Sequence, residues 1–300
     1  MLAPLFRSAI LAALLVRPAA TPALVITPTQ LAAKLSDPAL VLLQVGPKAD
    51  YDSGHIKGAR LITMQDLAAP KNDSAPVLEL PDTSDLRLRL EQLGIGNKSR
   101  IVVIAGADWA SPSTRIVWTL EAAGLGAQTQ WLDGGSDGWK RAGYPVTTDV
   151  PPTPIPGHLT VPPDRSIVVT HQWMQAHLDV PGVRIIDARS PVFFEGVGMP
   201  EHNAPAGHLP GAHNIPFTSL MNDSLQVLPL ADLSRIFSDA GVQTGDTVAA
   251  YCHVGMQATV VIFAARLLGY PAVLYDGSAN EWEALKLPIV NPNPTATPHE

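Results

Sequence analysis

The chain of 300 residues contains a single cysteine, Cys252. One cysteine excludes a disulfide within the chain and any metal cluster built on cysteine ligands. The formal net charge of −7 provides no basic surface of the kind that binds nucleic acid. Beyond the N-terminal region, no apolar run is long enough for a membrane-spanning helix, so we expect no membrane span in the mature protein. An apolar fraction of 46% nevertheless suffices for two domains with hydrophobic cores.

Cys252 stands where an apolar strand ends and a long apolar helix begins. The first N–H groups of a helix have no partner within the helix and carry the positive end of its dipole, so they favour a thiolate over a thiol. Gly255 can adopt a positive φ, which lets successive amides face one point and form an anion-binding nest. A lone cysteine usually packs as a small hydrophobe. This position instead predicts a nucleophile.

The first residues of the chain, 1–23, are typical of an export signal. Arg7 supplies a positive charge, a short apolar stretch follows, and small residues precede the expected cleavage after Ala20 or Ala23. Arg17 is unusual for such a signal, because it places a charge directly after the apolar stretch. We expect a periplasmic or secreted protein; if the segment is not a signal, the protein is cytoplasmic.

The chain contains an internal repeat. Ile26–Gln44 matches Val169–Asp187 without a gap, and each segment has a threonine that can cap a helix of about ten residues, followed by a proline and a buried strand. Three further pairs follow in the same order: Gly-His-x-x-Gly-Ala turns at 54–59 and 207–212, strand-loop-helix segments at 101–124 and 248–269, and Asp-Gly turns at 133–134 and 276–277. The chain is therefore predicted to be a tandem duplication.

Each half alternates short buried strands with helices, which predicts an α/β fold with a mostly parallel sheet flanked by helices. Ligands of such sheets bind at the carboxyl ends of strands, where Cys252 lies. We expect a monomer. The predicted organisation is a signal peptide at 1–23, a first domain at 24–149, a proline-rich linker at 150–165, a second domain at 166–290 and a flexible tail at 291–300.

Comparing the halves separates scaffold from chemistry, because a feature found in one half only is a candidate for function. The strand-loop-helix match places Ala107 opposite Cys252, and Asp108–Ala110 opposite His253–Gly255. The first loop thus lacks the nucleophile and the glycine, and its acidic residue would repel an anion. We expect the first half to be chemically silent and to wall one side of a cleft.

Two further residues occur only in the second half: Asp187 and Arg189 match Gln44 and Gly46. An arginine that follows a strand-end aspartate either contacts substrate or pairs with that aspartate, and both interpretations remain open. Residues shared by the halves are expected to fix turns or to pack, with the lining of the cleft as a second possibility for Trp282. They are His55 and His208, Asp133 and Asp276, and Trp139 and Trp282.

Taken together, these motifs resemble the two-domain rhodanese family of sulfurtransferases, which includes thiosulfate and 3-mercaptopyruvate sulfurtransferases. The resemblance covers about residues 24–290. It rests on Leu-Leu-Gln-Val at 42–45, Ile-Ile-Asp-Ala-Arg at 185–189, both Gly-His-x-x-Gly-Ala turns, Tyr-Cys-His-Val-Gly-Met-Gln at 251–257 and Asp-Gly-Ser-x-x-Glu-Trp at 276–282. It implies two tandem rhodanese-like domains, of which the first copy is inactive and the second is catalytic.

The resemblance also implies roles. The enzyme would move a sulfane sulfur from thiosulfate or 3-mercaptopyruvate to cyanide or a thiol, through a persulfide on Cys252. Asp187 and Trp282 would support the site, and no metal or organic cofactor would be required. The implied substrate-binding residues are Arg189, His253, Val254, Gly255, Met256 and Gln257. Family loops selective for thiosulfate often carry basic residues after the cysteine and those selective for mercaptopyruvate small ones; this loop fits neither pattern, which leaves the donor open.

Two other functions are compatible with a nucleophilic cysteine. A cysteine phosphatase would need an arginine six positions after Cys252 to bind phosphate, and the chain has Ala258 there. A persulfide relay or redox-sensing module would use Cys252 equally well. Only turnover of small sulfur donors separates this last alternative from an enzyme.

Overall fold

The structure is a computed structural model that describes residues 24–70, 77–106, 110–197 and 206–293. The predicted signal peptide, the Ala107–Trp109 segment and residues 294–300 of the tail lie outside these ranges. In the described part of the chain, no helix combines the length and the apolar character needed to cross a membrane.

The first half contains five strands and five α-helices within the described residues. They are β1 (Val25–Ile26), α1 (Pro28–Ala32), β2 (Leu40–Val45), α2 (Lys48–Ser53), β3 (Arg60–Ile62), α3 (Thr83–Gln92), β4 (Arg100–Ala105), α4 (Ser111–Ala122), β5 (Thr129–Leu132) and α5 (Gly135–Arg141). The second half follows with β6 (Val168–Val169), α6 (His171–Ala176), β7 (Val183–Asp187), α7 (Pro191–Phe194), β8 (His213–Asn214), α8 (Leu230–Asp239), β9 (Thr247–Tyr251), α9 (Ala258–Leu267), β10 (Ala272–Tyr275) and α10 (Ser278–Ala284). Short 3₁₀ helices occupy Gln65–Leu67, Gly126–Gln128, Arg165–Ile167 and Phe217–Leu220.

Each half forms a five-stranded sheet, and the two sheets have the same topology. The strand order is β1-β5-β4-β2-β3 in the first sheet and β6-β10-β9-β7-β8 in the second. All pairs between these strands are parallel. The predicted α/β fold and the tandem repeat are confirmed, because the sheets match strand for strand.

The helices that follow β1 and β6 are shorter than predicted. Thr27 and Thr170 cap them as expected, since each side-chain oxygen accepts the N–H of the residue three positions later, at 3.3 Å. The expectation of about ten residues is wrong, however, because α1 has 5 and α6 has 6. Each buries a single residue, Leu31 or Met174, so no apolar stripe packs a further turn onto the sheet.

The shared histidines hold turns, as the repeat predicts. The ring of His55 is buried and stacks on Tyr51 at 3.8 Å, with Nδ1 3.0 Å from the carbonyl oxygen of Tyr51. His208 stacks on Phe194 at 3.9 Å, with Nδ1 2.8 Å from the carbonyl oxygen of Phe194. Equivalent rings therefore make equivalent contacts, which is a structural role.

The two halves meet through equivalent helices, α4 and α9. Thr114 Oγ1 and Thr259 Oγ1 lie 2.8 Å apart at their crossing. Trp118 of α4 is buried in the hydrophobic cluster of the second half, and Phe263 of α9 is buried in that of the first. The helices exchange large side chains, so the cores of the two domains interlock. Both helices begin next to the carboxyl ends of the central strands, which brings the start of α4 to the Cys252 loop.

Candidate active site

Cys252 follows β9 directly and lies almost wholly covered, with a relative exposure of 1%. Its backbone is fixed on both sides by the start of α10: the N–H of Cys252 donates to Ser278 Oγ at 3.2 Å, and its carbonyl oxygen accepts from the N–H of Ala279 at 3.0 Å. Ser278 Oγ in turn donates to the carbonyl oxygen of Tyr275 at 2.8 Å. The position of the nucleophile is therefore set by strand β9 and by the turn that follows β10.

The loop between Cys252 and α9 presents unpaired amides. Gly255 has φ +73°, the left-handed conformation that the sequence predicts for a nest. Four consecutive N–H groups donate no hydrogen bond to any residue that the structure describes; they belong to Val254, Gly255, Met256 and Gln257. A run of unpaired backbone donors next to a thiol is the kind of arrangement that can bind an anion.

The side chains of the loop differ in where they lie. His253 packs edge-to-face on Phe193 at a ring distance of 4.6 Å. Met256 is buried, while Val254 is half-buried. The Gln257 Oε1 atom is buried and has no hydrogen-bond partner among the described residues. The loop thus offers its backbone, rather than a cluster of charged side chains, to a bound group.

Asp187 and Arg189 form a buried ion pair next to the strand end. Their side chains are 0% and 1% exposed, Arg189 Nη2 lies 2.5 Å from Asp187 Oδ2, and the same Nη2 donates to the carbonyl oxygen of Gly207 at 2.6 Å. Burial lowers the pKa of Arg189, but the Asp187 carboxylate beside it raises the pKa overall. Arg189 is therefore held as a cation by Asp187, and this pairing is the structural one of the two interpretations left open by the sequence.

An arginine of the first half also reaches this loop, which sequence reasoning missed. Arg115 of α4 is 3% exposed, and its Nη1 donates to the carbonyl oxygen of Gly255 at 3.0 Å and to Asp276 Oδ1 at 2.5 Å. The signal was present in the repeat, because Val260 stands at the equivalent position of α9. Arg115 therefore occurs in the first half only, just as Arg189 occurs in the second half only.

The two Asp-Gly turns do more than close turns. Asp276 Oδ2 of the second half accepts the N–H of Leu80 of the first at 2.9 Å. Reciprocally, Asp133 Oδ1 of the first half accepts the N–H of Val227 of the second at 3.2 Å. Only one of the two has an arginine partner: Asp276 has Arg115, whereas burial raises the pKa of Asp133 against the lowering effect of the Val227 N–H. The pair of aspartates is part of the contact between the halves.

The prediction that Ala107 stands opposite Cys252 is wrong. Ala105 follows Ile104 as Cys252 follows Tyr251, and Ile104 and Tyr251 pair with the equivalent residues Gln44 and Asp187, so Ala105 is the equivalent of Cys252. Along the helices, the contact between Thr114 and Thr259 keeps the separation of 145 positions on which the sequence match was based. The first half therefore has more residues between this strand position and Thr114 than the second half has between Cys252 and Thr259. The equivalent strand pairs are Gln44 with Ile104 and Asp187 with Tyr251.

Among its described residues, the first half has no equivalent of the Arg189 site. A side chain at Gly46 would come within 3.1 Å of the Gly106 Cα atom, so the strand ends close on one another there. Gln44, which matches Asp187, is buried, and its Oε1 has no hydrogen-bond partner among the described residues. Close backbone packing replaces the ion pair of the second half.

Trp282 does not line a cleft. It is fully buried in the cluster that also contains Tyr251 and Tyr275, and its Nε1 donates to the carbonyl oxygen of Pro288 at 2.8 Å. Trp139 of the first half donates to Pro145 in the same way, at 2.9 Å. The cleft-lining interpretation of Trp282 is thus wrong, and the packing interpretation explains both tryptophans.

The residue six positions after the cysteine, Ala258, is fully buried as the first residue of α9. A phosphatase arginine would need to project from this point into the loop. Ala258 instead packs into the core of the second half. The arrangement gives no support to a phosphatase.

Comparison with known proteins gives a consistent result. The family model described as rhodanese-like domain matches the chain twice, at residues 27–142 and 170–285. A probable 3-mercaptopyruvate sulfurtransferase of Pseudomonas aeruginosa is 33% identical over 272 residues, which cover 86% of this chain and 94% of that protein. A thiosulfate sulfurtransferase of the same organism is 31% identical and covers 86% of this chain and 93% of its own. The crystal structure of SseA from Escherichia coli, a 3-mercaptopyruvate sulfotransferase, shares the fold with a TM-score of 0.74 and 24% identity, over 85% of this chain and 98% of that one.

Proposed function

The chain belongs to the rhodanese-like family and is a sulfurtransferase, and on this premise we propose that Cys252 carries the sulfur as a persulfide. The donor is a small anionic molecule such as thiosulfate or 3-mercaptopyruvate, and the acceptor is cyanide or a thiol. The observation that carries the proposal is the run of four unpaired loop amides beside Cys252. An anionic outer sulfur would meet donors that are already in place, which is where preorganised amides act most strongly.

The first half-reaction is a displacement at sulfur. The Cys252 thiolate attacks the sulfane sulfur of thiosulfate, the S–S bond of the donor breaks, and sulfite leaves with the electron pair. The product on the enzyme is a persulfide anion, whose charge is favoured by the loop amides and by the fixed charge of Arg189. Sulfur is both the nucleophile and the transferred atom, so Asp187 and Arg189 need only contribute electrostatically to the site.

The second half-reaction returns the enzyme to its starting state. A cyanide ion or a thiolate attacks the outer sulfur, the persulfide S–S bond breaks, and the electron pair returns to Cys252. The two half-reactions share one covalent intermediate, which predicts ping-pong kinetics. Thiocyanate is the product when cyanide is the acceptor.

The covered position of Cys252 supports an enzyme for small donors over a relay between proteins. Because Cys252 is only 1% exposed, only a group of small cross-section can reach its sulfur. The terminal sulfur of thiosulfate or 3-mercaptopyruvate is such a group, whereas a cysteine on a protein surface brings its own backbone with it. A relay or redox-sensing module remains the second candidate only as an outcome of the test below.

The test is thiocyanate formation from cyanide by the full chain, with thiosulfate and separately with 3-mercaptopyruvate. We expect activity with at least one donor and its complete loss in Cys252→Ser, which keeps the size of the side chain but removes the sulfur nucleophile. Mass spectrometry of the enzyme with donor alone is expected to show one added sulfur atom. If neither donor is turned over while Cys252 still accepts sulfur from polysulfide, the result would contradict the enzyme function and support the relay function.

We also propose that the protein is exported, because residues 1–23 have the pattern of an export signal, and that it acts as a monomer. Mass measurement of the mature protein from a periplasmic or extracellular fraction tests the export. Cleavage after Ala20 or Ala23 is expected, and an intact N-terminus in the cytoplasm would contradict it. Light scattering of the purified protein tests the monomer.

A further inference from the structure

The first half reaches the nucleophile loop through one buried guanidinium. Arg115 Nη1 donates to the carbonyl oxygen of Gly255 and to Asp276 Oδ1, while its Nη2 donates to the carbonyl oxygen of Leu78 at 2.5 Å. Its Cζ lies 4.5 Å from the ring centroid of Trp118, so an aromatic face covers one side of the cation. The side chain is held by three acceptors and a ring, and it has one orientation.

The contact with Gly255 bears directly on the loop amides. The carbonyl of Gly255 and the N–H of Met256 belong to one planar peptide unit and point in opposite directions. By holding the carbonyl, Arg115 turns the Met256 N–H away from itself. A hydrogen bond to the carbonyl also polarises the peptide, which strengthens its N–H as a donor. Arg115 thus acts on one of the four unpaired amides without touching the sulfur.

Gly255 is fitted to this contact as well. A Cβ atom on this residue would lie 3.0 Å from Arg115 Nη1 and 2.7 Å from both the carbonyl oxygen and Oδ1 of Asp276. Arg115 and Asp276 therefore pack directly against the loop at Gly255. The guanidinium pairs with Asp276 at a site shielded from solvent, where electrostatic interactions are screened least.

We propose that Arg115, supplied by the half that lacks the nucleophile, is a positioning residue for sulfur transfer: it fixes the Gly255–Met256 peptide and adds a buried positive charge that favours the anionic sulfur. The proposal rests on the persulfide function above. It changes the role of the first half, which then completes the site instead of only walling the cleft.

A second ion pair provides a matched control. Arg266 of α9 pairs with Glu121 of α4 at the other end of the same helix pair, and its side chain is 17% exposed. This pair also joins the two halves through an arginine and a carboxylate, but it contacts no residue of the Cys252 loop among the described residues. If Arg115 only holds the two halves together, substituting it should have the same kind of effect as substituting Arg266.

The experiment compares Arg115→Met and Arg115→Lys with Arg266→Met in the full chain. For Arg115→Met we expect kcat/KM for the donor to fall about 10-fold or more, with the acid limb of its pH profile moved to higher pH. Arg115→Lys keeps the charge, but its single nitrogen cannot take the place of the two guanidinium nitrogens that reach Gly255, Asp276 and Leu78, so it is expected to restore the pH profile and only part of the rate. Arg266→Met is expected to lower the melting temperature while kcat/KM stays within about 2-fold of wild type.

Two results overturn the proposal. One is a loss of activity that follows melting temperature alike in the Arg115 and Arg266 variants. The other is an Arg115→Lys variant with the full wild-type rate. This result would overturn the proposal even if Arg115→Met does not fold. The rate of Cys252 alkylation by iodoacetamide against pH is measured in parallel and needs no sulfur donor. A wild type inactive with both donors, but with an alkylation profile that depends on Arg115, would sink the persulfide function and keep the positioning role.

Discussion

At the scale of single residues, the site depends on the conformation of Gly255. Its φ of +73° turns successive amides toward one side, and its missing Cβ leaves room for Asp276 and Arg115. Both requirements are specific to glycine, since other residues pay in strain at positive φ. The sequence indicated the first requirement, because a glycine in mid-loop is typical of a nest. It could not indicate the second, because Asp276 and Arg115 both lie far from Gly255 in the sequence.

Gly255→Ala is expected to inactivate the enzyme and to destabilise it by more than about 1 kcal/mol, the cost of the left-handed conformation alone. The added Cβ would meet Asp276 atoms at 2.7 Å, so the loop has to shift. Gly269→Ala is the matched control, since Gly269 also has positive φ, at +83°, yet a Cβ there meets nothing within 4 Å. It is expected to cost a similar strain and to leave kcat/KM unchanged. Chemical denaturation and steady-state kinetics of both variants measure this, and equal losses of activity would contradict it.

How far the site could be predicted differs from residue to residue. Cys252 was predictable because strand end, glycine and helix start lie within a few positions of one another. Asp187 and Arg189 were found by comparing the halves, although the sequence left open whether Arg189 meets substrate or Asp187. The Arg115 contact with Gly255 spans 140 positions and crosses between domains. No local pattern carries such a contact.

At the scale of elements, the two Asp-Gly turns form a natural pair of variants. Asp133 and Asp276 accept equivalent N–H groups from the opposite half, but only Asp276 also pairs with an arginine. The sequence predicted that both turns are scaffold, because both halves contain them. The sequence did not indicate that these turns join the two halves, since the segments they contact lie far away in the sequence.

Asp276→Asn is expected to cost about 3–5 kcal/mol of unfolding free energy, because Arg115 would remain buried without a counter-charge. Asp133→Asn removes no ion pair and keeps an oxygen for the Val227 N–H. We expect it to be neutral or stabilising at pH 7, within about 1 kcal/mol of wild type. Urea denaturation of both variants measures the difference. Equal losses would show that Arg115 does not need Asp276.

The pH dependence of Asp133 has a definite sign. Because burial raises its pKa, the folded protein holds the proton more tightly than the unfolded chain does. This group therefore favours folding at low pH and loses that contribution as pH rises from the ordinary value of 3.8 through the raised pKa. Asp133→Asn is expected to remove this loss, so its unfolding free energy relative to wild type should increase over that window. A difference that is constant with pH would contradict the raised pKa.

At the scale of the whole molecule, the cores of the two repeated domains interlock. Trp118 and Phe263 each leave their own domain and pack into the core of the other, and Phe263 meets Trp131 of the first half at a ring distance of 5.7 Å. The repeat in the sequence predicted two similar domains and their order. It did not show that their cores interlock, because an apolar residue on a helix looks alike whether it faces its own sheet or another.

This interlocking predicts a single cooperative unfolding transition for the wild type, in which the calorimetric and van't Hoff enthalpies agree. Trp118, 2% exposed, contributes to the core of the domain that carries Cys252, so Trp118→Ala is expected to cost about 3–5 kcal/mol and to separate the unfolding into two transitions. Leu88→Ala, at a side chain that is 55% exposed on α3, serves as the control and is expected to stay within about 0.5 kcal/mol. Two transitions in the wild type would mean that each half folds independently. In that case the Arg115 contact would form only after both domains had folded, and the active site would be assembled by docking instead of by folding.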